Sequence, residues 1–491
     1  MDHLDVVIVG AGLSGVGAAC QLRALCPGKT VAILESRHAL GGTWDLFRYP
    51  GIRSDSDMHT LGYRFKPWTA RKAIADGPAI REYIEETAVE HDVLPLVRFH
   101  HALREASWSS EEARWTLEVE RTDTGERTRL SCGFLLLCAG YYRYDRGHEP
   151  DFVDAERFGG RVVHPQHWPE DLDYAGRRVV VIGSGATAMT LVPAMAKDAA
   201  HVTMVQRSPT WVVSRPDVDR IARALGYVLP AKWAYAITRW KNVSLQRLLY
   251  ERTRTRPEQV RERLLGMVRA ALGPDYDVEK HFTPRYDPWD QRLCLIPNGD
   301  LYEAIREGRA SVETDGIERF TERGLRLASG REIEADVIVT ATGLELEVLG
   351  GVRFAVDGKP VDFAETWSYK GMMFSGVPNL VQTFGYINAS WTLRADLTAE
   401  WVCRVLRRMD EVGASQATPR LRDSDRDMPA RPWIEDFTPG YMQRAMHRFP
   451  KQGDREPWLN TQSYASDRKL LRKGPIEDGV LVLEPKALTP S

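Results

Sequence analysis

The sequence predicts an α/β protein built from two doubly wound units, with a helical insertion in the second. Four short apolar runs predict the sheets, since each ends at a turn glycine: VVIVGAG at 6–12, FLLLCAG at 134–140, VVVIGSG at 179–185 and DVIVTATG at 336–343. Continuous apolar runs of this length are typical of parallel strands that helices cover on both faces. The runs at 6 and 179 lead into Ala-rich helical patterns, so each is expected to open a unit, and the others to supply later strands.

The helical insertion is predicted between 215 and 295, where long stretches rich in Arg and Leu replace the strand pattern. Residues 220–272 contain ten arginines, two lysines and three glutamates, a local net charge of +9. Two interpretations stay open. The segment is either a solvated helix face that acidic loops partly neutralise, or a surface that contacts a membrane or a partner.

Composition restricts the class of protein. The chain has 491 residues, 43% of them hydrophobic and 27% charged, as in ordinary globular proteins of two or three domains. A formal net charge of −2 favours small-molecule partners over nucleic acid. Six scattered cysteines form no C-x-x-C pair, so neither a disulfide framework nor a metal site is expected. The first strand pattern begins by residue 4 without a secretory signal, so we expect a cytoplasmic protein.

The first glycine motif, G-x-G-x-x-G, consists of Gly10, Gly12 and Gly15 between a strand and a helix. Such glycines permit a tight turn and close approach of the backbone to a pyrophosphate, which the helix N-terminus binds. We call such a phosphate-binding turn a cradle, and Ser14 is placed to contribute to it. Glu35 ends the next strand, twenty residues after Gly15, where a carboxylate can accept a hydrogen bond from a ribose 2′-hydroxyl. This unit is therefore expected to bind FAD or NAD.

The second motif consists of Gly183, Gly185 and Ala188, again between a strand and a helix. Arg207 and Ser208 follow nineteen residues after Ala188, at the place of the acid in the first unit. A guanidinium there fits a 2′-phosphate, so this unit is expected to prefer NADPH over NADH. The alternative is that Arg207 is an ordinary exposed residue of a surface ion pair.

Two further motifs carry a family resemblance. One reads F-x-G-x-x-x-H-x-x-x-W-P and consists of Phe158, Gly160, His164, Trp168 and Pro169. The other reads G-G-x-W-x-x-x-x-Y-P-G-x-x-x-D and consists of Gly41, Gly42, Trp44, Tyr49, Pro50, Gly51 and Asp55. Both resemble the fingerprints of Baeyer–Villiger monooxygenases, which are class B flavoproteins. Segments such as DPWDQRLCLIPNGDL and GYINASWT extend the resemblance over nearly the entire chain, to the group that includes the mycobacterial ethionamide-activating monooxygenase.

Together with the two glycine motifs, the resemblance implies two bound cofactors and the residues that hold them. It implies FAD in a domain of residues 1–148 and 371–491, held by Gly10, Gly12, Ser14, Gly15, Glu35, Gly42, Thr43, Trp44, Asp45, Leu46, Asp55 and Leu103. It implies NADPH in a domain of residues 149–214 and 296–370, held by Arg53, Ser54, Gly183, Ser184, Gly185, Ala186, Thr187, Ala188, Met189, Arg207 and Ser208. Residues 215–295 form the insertion.

The resemblance also implies the reaction. A flavin C(4a)-peroxide would transfer one oxygen atom of O₂ to a small apolar ketone, giving an ester or lactone, and would oxygenate sulfur compounds such as thioethers or thioamides. Arg292 is implied as the catalytic cation, and we expect Asp55 to pair with it and orient it. Relatives carry Lys-Arg at this place, whereas Gln291 replaces the lysine here.

Competing interpretations remain. An N- or S-oxygenase uses the same two cradles, and a flavin-binding sensor without turnover is the non-enzymatic alternative. A disulfide reductase is excluded, because no redox cysteine pair follows Gly42. His164 is interpreted as a structural residue of the linker rather than a proton donor. The aromatic stretch with Tyr386, Asn388 and Trp391 is expected either to wall an apolar pocket or to pack in the core.

Overall fold

A large mixed sheet carries the first glycine motif. The computed structural model describes residues 2–435 and 437–486. Within them, this sheet has nine strands, in the spatial order Lys359–Pro360, Arg353–Val356, His101–Ser109, Arg114–Arg121, Arg127–Leu137, Asp2–Val9, Val31–Leu34 and Val97–Arg98, with Leu380–Gln382 also paired to Arg127–Leu137. The predicted runs at 6 and 134 are neighbours here and pair in parallel.

A second sheet, entirely parallel, carries the second glycine motif. Its described strands follow the order Ala310–Thr314, His201–Gln206, Arg178–Ile182, Val337–Thr340 and Arg161–Val163. The predicted runs at 179 and 336 again lie side by side. The pairing of early and later runs expected from the sequence is therefore confirmed in both units.

Both sheets are buried on their two faces. Val6 and Ile8 pack into one apolar cluster, whereas Val7 and Val9 pack into another on the opposite face. Val179 and Val180 divide in the same way between two clusters of the second sheet. Since neither face is exposed to water, the strand sequences are continuously apolar and do not alternate between apolar and polar residues.

Helices and small sheets complete the described chain. The α-helices are Leu13–Leu25, Thr43–Leu46, Met58–Leu61, Gly77–Glu90, Ala186–Met195, Arg220–Val228, Ala231–Thr255, Pro257–Leu272, Val278–Phe282, Asp300–Arg306, Trp391–Val412, Gly440–Ala445 and Tyr464–Lys473. The smaller sheets pair Val212–Arg215 with Cys294–Pro297, Tyr142–Gly147 with Leu344–Leu346, Ser368–Tyr369 with Met373–Phe374, Gln416–Pro419 with Leu481–Glu484, and Ile317–Thr321 with Gly324–Leu327 and Glu332–Glu334. None of the helices described has the length and apolarity needed to cross a bilayer.

One strand departs from the predicted domain limits. Arg353–Val356 lies before residue 370, the predicted end of the second domain, yet it pairs in parallel with His101–Ser109 of the first sheet. The register Arg353 to Glu105 through Val356 to Trp108 assigns this strand to the first unit. The prediction missed it because strand pairing is a long-range contact that local pattern does not reveal.

The predicted insertion contains four helices and is anchored to the first unit by its longest one, Ala231–Thr255. Arg239, on the inner side of this helix, is 7% exposed and forms an ion pair of 3.2 Å with the buried Asp396. Its Nη1 also donates to the carbonyl oxygens of His59, Thr60 and Gly62 at 3.0, 3.2 and 2.7 Å. This arginine therefore satisfies several buried acceptors at once.

We expect Arg239→Met to lower the free energy of unfolding by about 3 kcal/mol or more, because it leaves a buried carboxylate without its cation. Arg247→Met is the matched control, since Arg247 lies on the same helix, is 63% exposed and pairs with the exposed Glu251. That change is expected to cost less than about 1 kcal/mol. Thermal unfolding of the two variants measures the difference, and equal midpoints would contradict the anchoring role.

Candidate active site

The first glycine motif forms a turn with no room for side chains. Gly10 has φ +99°, and a Cβ there would lie 2.6 Å from the carbonyl oxygen of Cys138. A Cβ on Gly15 would lie 1.8 Å from the carbonyl oxygen of Gly10, so only glycine lets the helix pack this closely on its strand. Gly12 caps the helix without a side-chain hydrogen bond, which leaves backbone N–H groups directed at the cleft.

Glu35 lies at the bottom of this cradle, where it is 4% exposed. One carboxylate oxygen accepts a hydrogen bond from the Ala11 N–H at 2.7 Å, and the other accepts from the Arg37 N–H at 2.8 Å. Burial raises the pKa of Glu35, although these backbone donors oppose the shift. Each oxygen retains a lone pair, so the predicted contact with a ribose hydroxyl is compatible with this geometry.

Two further glycines lie beside the first motif. Gly41 and Gly42 have φ of +111° and +55° and precede the short helix Thr43–Leu46. The Asp45 side chain on this helix is fully buried and pairs with Arg37 at 2.6 Å and with Arg48 at 2.5 Å. Burial opposes ionisation, but the hydrogen bond and charge of Arg37 lower the pKa of Asp45. Asp45 thus supports the loop rather than facing the cleft.

The second motif has the same construction. Gly183 has φ +132°, and a Cβ there would lie 2.3 Å from the carbonyl oxygen of Ala341. A Cβ on Gly185 would meet no atom within 4 Å, so the space beside it is open to a ligand. The Ser184 hydroxyl donates to the Ser208 carbonyl at 3.1 Å, which joins the motif to the end of strand His201–Gln206.

Arg207 is exposed beside this second motif. It forms no ion pair with any carboxylate among residues 2–435 and 437–486, so the surface ion pair considered as an alternative is not formed there. Its guanidinium is free to meet an anion placed at the motif.

Arg53 connects the two units. Its Nη1 lies 2.5 Å from the Asp300 carboxylate, and its Nη2 donates to the Met189 carbonyl at 3.5 Å. Met189 belongs to the helix Ala186–Met195, which begins at the second motif. The neighbouring Ser54 is 3% exposed, and its hydroxyl accepts from the Ser56 N–H at 3.0 Å. The loop that carries Arg53 is therefore held against the helix that begins at the second motif.

A cleft of about 690 Å³ extends from the first motif to Ala186 and Thr187, at the start of the helix that follows the second motif. Predicted site residues in its wall are Gly10, Gly12, Ser14, Glu35, Gly42, Thr43, Trp44, Arg53, Ser54, Asp55, Leu103, Ala186, Thr187 and Arg292. The other predicted residues lie outside this wall: Gly15, Asp45, Leu46, Gly183, Ser184, Gly185, Ala188, Met189, Arg207 and Ser208. The size suits a small molecule or cofactor, and the glycine turns fit a pyrophosphate.

Arg292 and Asp55 meet in this cleft. The Arg292 Nη2 lies 2.9 Å from the Asp55 Oδ2, so the predicted ion pair is formed. Both side chains remain about one third exposed, at 38% and 34%, and can therefore reach a ligand. The charge of Asp55, opposed by desolvation, holds the pKa of Arg292 well above its usual value, so this guanidinium stays protonated at any physiological pH.

Three tyrosines beside Arg292 were not predicted. The hydroxyls of Tyr141 and Tyr142 lie 2.6 Å apart, and Tyr441 also lines the cleft. Burial raises the pKa of Tyr142 and Tyr441, so these groups remain neutral hydrogen-bond donors. Tyr141 and Tyr142 directly follow the glycine at the end of the 134 run, a position that parallel sheets use for ligands. Tyr441 lies far along the chain, without a local signal.

Aromatic side chains continue the wall on this side of the cleft. Tyr141 stacks on Trp391 with ring centroids 5.1 Å apart, and Phe384 lies 4.9 Å from Tyr141. The Trp391 indole N–H donates to the Ser14 hydroxyl at 2.7 Å, which joins this wall to the first motif. Tyr386 also lines the cleft, with its hydroxyl on Asp467, whereas Asn388 binds the Gln462 carbonyl.

His164 lies in the linker between the units. Its Nε2 lies 3.1 Å from the Gly343 carbonyl oxygen, and its Nδ1 accepts from the Gln166 N–H at 3.2 Å. Burial lowers the pKa of this imidazole, so the neutral form with both nitrogens bonded is favoured. This geometry supports the structural role expected from the sequence.

Two parts of this chain match known protein families. Residues 74–266 match the family described as flavin-binding monooxygenase-like, and residues 8–71 match the NAD(P)-binding Rossmann-like domain. The chain is 54% identical to the FAD-containing monooxygenase EthA of Mycobacterium tuberculosis over 97% of both chains. It is 51% identical to EthA of Mycolicibacterium smegmatis, over 97% of this chain and 96% of that protein.

A solved structure shares the fold. The oxidised steroid monooxygenase bound to NADP superposes with a TM-score of 0.78 at 24% identity, over 98% of this chain and 100% of that one. The predicted fold class, with two dinucleotide-binding units, is confirmed, and so is the resemblance seen in the sequence. The chain belongs to the family of FAD-containing monooxygenases.

Proposed function

We propose that this protein is a Baeyer–Villiger monooxygenase that converts small apolar ketones to esters or lactones and also oxygenates thioethers or thioamides. The reaction consumes O₂ and NADPH. One oxygen atom enters the product, and the other leaves as water. The observation that carries the proposal is the ion pair of Arg292 and Asp55, 2.9 Å long, in the cleft that joins the first glycine motif to the helix after the second.

The cradles fit two cofactors. FAD binds at Gly10, Gly12 and Gly15, where the backbone admits a pyrophosphate and Glu35 lies within the same wall. NADPH binds at the second motif, with Arg207 free for the 2′-phosphate. When bound, FAD reduced by NADPH supplies the oxygen chemistry, and the protein supplies position, charge and exclusion of water.

Arg292 supplies a fixed positive charge where negative charge develops on oxygen. Attack on a ketone builds charge on the carbonyl oxygen, and a preorganised cation stabilises that charge without rearranging. Guanidinium suits this task because it stays protonated and offers several donors in a fixed plane. Asp55 binds one edge of the guanidinium, and the exposed part of this side chain can reach the substrate.

The aromatic wall supports the substrate class. Phe384, Trp391, Phe437 and Met442 line the cleft beside Arg292 and the tyrosine hydroxyls. Such a wall favours apolar molecules, while one charged group and a few hydroxyls orient a single carbonyl or sulfur atom. These surroundings favour small ketones and sulfur compounds over charged metabolites.

Product analysis tests the proposal. The holoenzyme is incubated with NADPH, O₂ and either an aliphatic ketone or a thioether. An ester from the ketone together with a sulfoxide from the thioether is expected. Sulfoxide without any ester would restrict the protein to S-oxygenation, and NADPH oxidation that yields only hydrogen peroxide with both would contradict the proposal.

Arg207→Gln is expected to raise the KM for NADPH by about 10–100-fold and to leave the KM for NADH unchanged, because one charge-assisted contact to the 2′-phosphate is lost. Arg161→Gln is the matched control. Arg161 is an exposed arginine of the same sheet, but it pairs with Asp171 at 3.1 Å. Steady-state kinetics with both coenzymes measures the effect. Equal changes for NADPH and NADH would contradict the assignment.

A further inference from the structure

The insertion exposes a large apolar surface. Trp233 and Trp240 are 66% and 69% exposed, and Tyr227 is 79% exposed. We define the insertion face as the exposed apolar residues of helices Arg220–Val228 and Ala231–Thr255, namely Ile221, Tyr227, Val228, Trp233, Ile237, Trp240, Leu245, Leu248 and Leu249. These are nine of the seventeen large apolar residues exposed in the described chain. Apolar surface concentrated in this way marks an interaction site.

The long helix Ala231–Thr255 has two opposite faces. Trp233, Ile237, Trp240 and Leu248 recur at helical spacing along the outer side. Tyr235, Arg239 and Asn242 lie on the other side and are buried against the first unit. Contacts of the inner side with the first unit fix the orientation of this helix, so its apolar stripe faces outward.

The short helix Arg220–Val228 adds to this surface. None of its residues is buried, although it carries Ile221, Tyr227 and Val228. It begins at Asp219, whose side chain caps it through the N–H groups of Ile221 and Ala222, and it packs on the long helix. No residue of this helix is fully buried within the described chain, so its exposed apolar residues are available for a further contact.

The charged side chains among residues 220–250 are all cationic. Residues 220–250 contain no Asp or Glu. Arg220, Arg223 and Lys232 are exposed and form no ion pair with a carboxylate in the part of the chain that the structure describes. Arg71 and Lys72 are also exposed, and within the described part of the chain they too form no ion pair with a carboxylate. They lie close to the start of the insertion, because the N–H of the next residue, Ala73, donates a hydrogen bond to the Asp217 carbonyl at 2.7 Å.

We propose that the insertion face docks on the surface of an anionic lipid bilayer. Tryptophan and tyrosine rings favour the boundary between headgroups and acyl chains, and cations beside them meet lipid phosphates. A second copy of this chain is a poor occupant, because apposing two such faces brings their unpaired cations together, and residues 220–250 offer no acid to pair with them. This docking goes beyond the oxygenation reaction and does not depend on its substrate.

Docking on this face has a consequence for the cleft. On its inner side, the long helix holds the segment that follows Asp55, since the Asn242 side chain donates to the Asp57 carboxylate at 2.9 Å and Gln246 donates to it at 3.3 Å. The helix that faces the membrane is therefore hydrogen-bonded directly to the loop that carries Asp55, the partner of Arg292. The cleft is held at a defined orientation to the bilayer.

Vesicle cosedimentation of the holoenzyme tests the proposal. We expect binding to phosphatidylcholine vesicles that contain phosphatidylglycerol at about one third of the lipid, and weaker binding to phosphatidylcholine alone. Arg220→Gln with Arg223→Gln is expected to lower partitioning onto the anionic vesicles by about 25-fold, since each cation contributes about fivefold. Trp233→Gln with Trp240→Gln is expected to lower partitioning onto both kinds of vesicle by about tenfold or more.

Two control variants match these changes elsewhere on the surface. Arg127→Gln with Arg426→Gln removes two arginines that are 76% and 77% exposed, and Val89→Gln with Val153→Gln removes apolar residues that are 61% and 56% exposed. Both are expected to bind vesicles like the wild type. FAD content and NADPH oxidation without lipid should be the same in all variants.

Three outcomes would overturn the proposal. The first is a wild type that remains in solution with anionic vesicles, and the second is a tryptophan variant that binds like the wild type. The third is wild-type dimerisation that the tryptophan variant loses, in the absence of vesicle binding. That result would identify the face as a contact between copies of the chain.

Discussion

Arg292→Ala is expected to lower the rate of oxygen insertion into a ketone by about 10²–10³-fold, the range seen when one oxyanion donor is removed. NADPH should still reduce the flavin at the wild-type rate, because Arg292 acts on charge that develops only during oxygen transfer. Two measurements separate these steps. Anaerobic reduction is followed by flavin absorbance, and ester yield per NADPH is followed in air.

Arg143→Ala is the control for this variant. Arg143 also lines the cleft, but its guanidinium pairs with Asp145 at 2.7 Å rather than with Asp55. Its removal is expected to leave both steps near their wild-type rates. Normal ester formation by Arg292→Ala would remove the arginine from the mechanism, whereas loss of flavin reduction would assign it to hydride delivery instead.

Gly15→Ala is expected to weaken FAD binding by about 100-fold or more and to give a largely colourless protein. The added Cβ would lie 1.8 Å from the Gly10 carbonyl oxygen, so the helix must move away from its strand and the cradle opens. Overpacking of this kind costs about 1–3 kcal/mol even where neighbours can relax, and here the two nearest atoms belong to the Gly10 backbone.

Gly28→Ala makes the same chemical change without the clash, since a Cβ at Gly28 would meet no atom within 4 Å. This control should retain a full complement of flavin. Flavin absorbance per mole of purified protein measures the difference between the two variants. A yellow Gly15→Ala protein with unchanged affinity for FAD would contradict the assignment of the first motif.

The main strands and the two glycine turns could be predicted, because both depend on the residue pattern of a short stretch of sequence. The apolar runs at 6, 134, 179 and 336 are strands, since burial on both faces requires every side chain to be apolar. The two cradles were found because glycines at a fixed spacing reflect a turn that excludes Cβ atoms, as at Gly10 and Gly183.

The rest depends on contacts between distant parts of the chain. Tyr441 reaches the Arg292 pocket from a segment without a motif, and Arg353–Val356 joins the first sheet across a sequence gap. Asp45 was expected at the cofactor, yet its buried carboxylate holds Arg37, because the loop around the first cradle needs that support. Neither strand pairing nor burial of a charge is visible in a local pattern.

The central claim is that this cleft transfers one atom of O₂ to a bound ketone. A single turnover of the NADPH-reduced enzyme with ¹⁸O₂ and an aliphatic ketone tests it most directly, with the product analysed by mass spectrometry. We expect an ester that carries one ¹⁸O atom at the bridging oxygen, with the second atom in water. Unlabelled ketone recovered together with labelled hydrogen peroxide would contradict the claim.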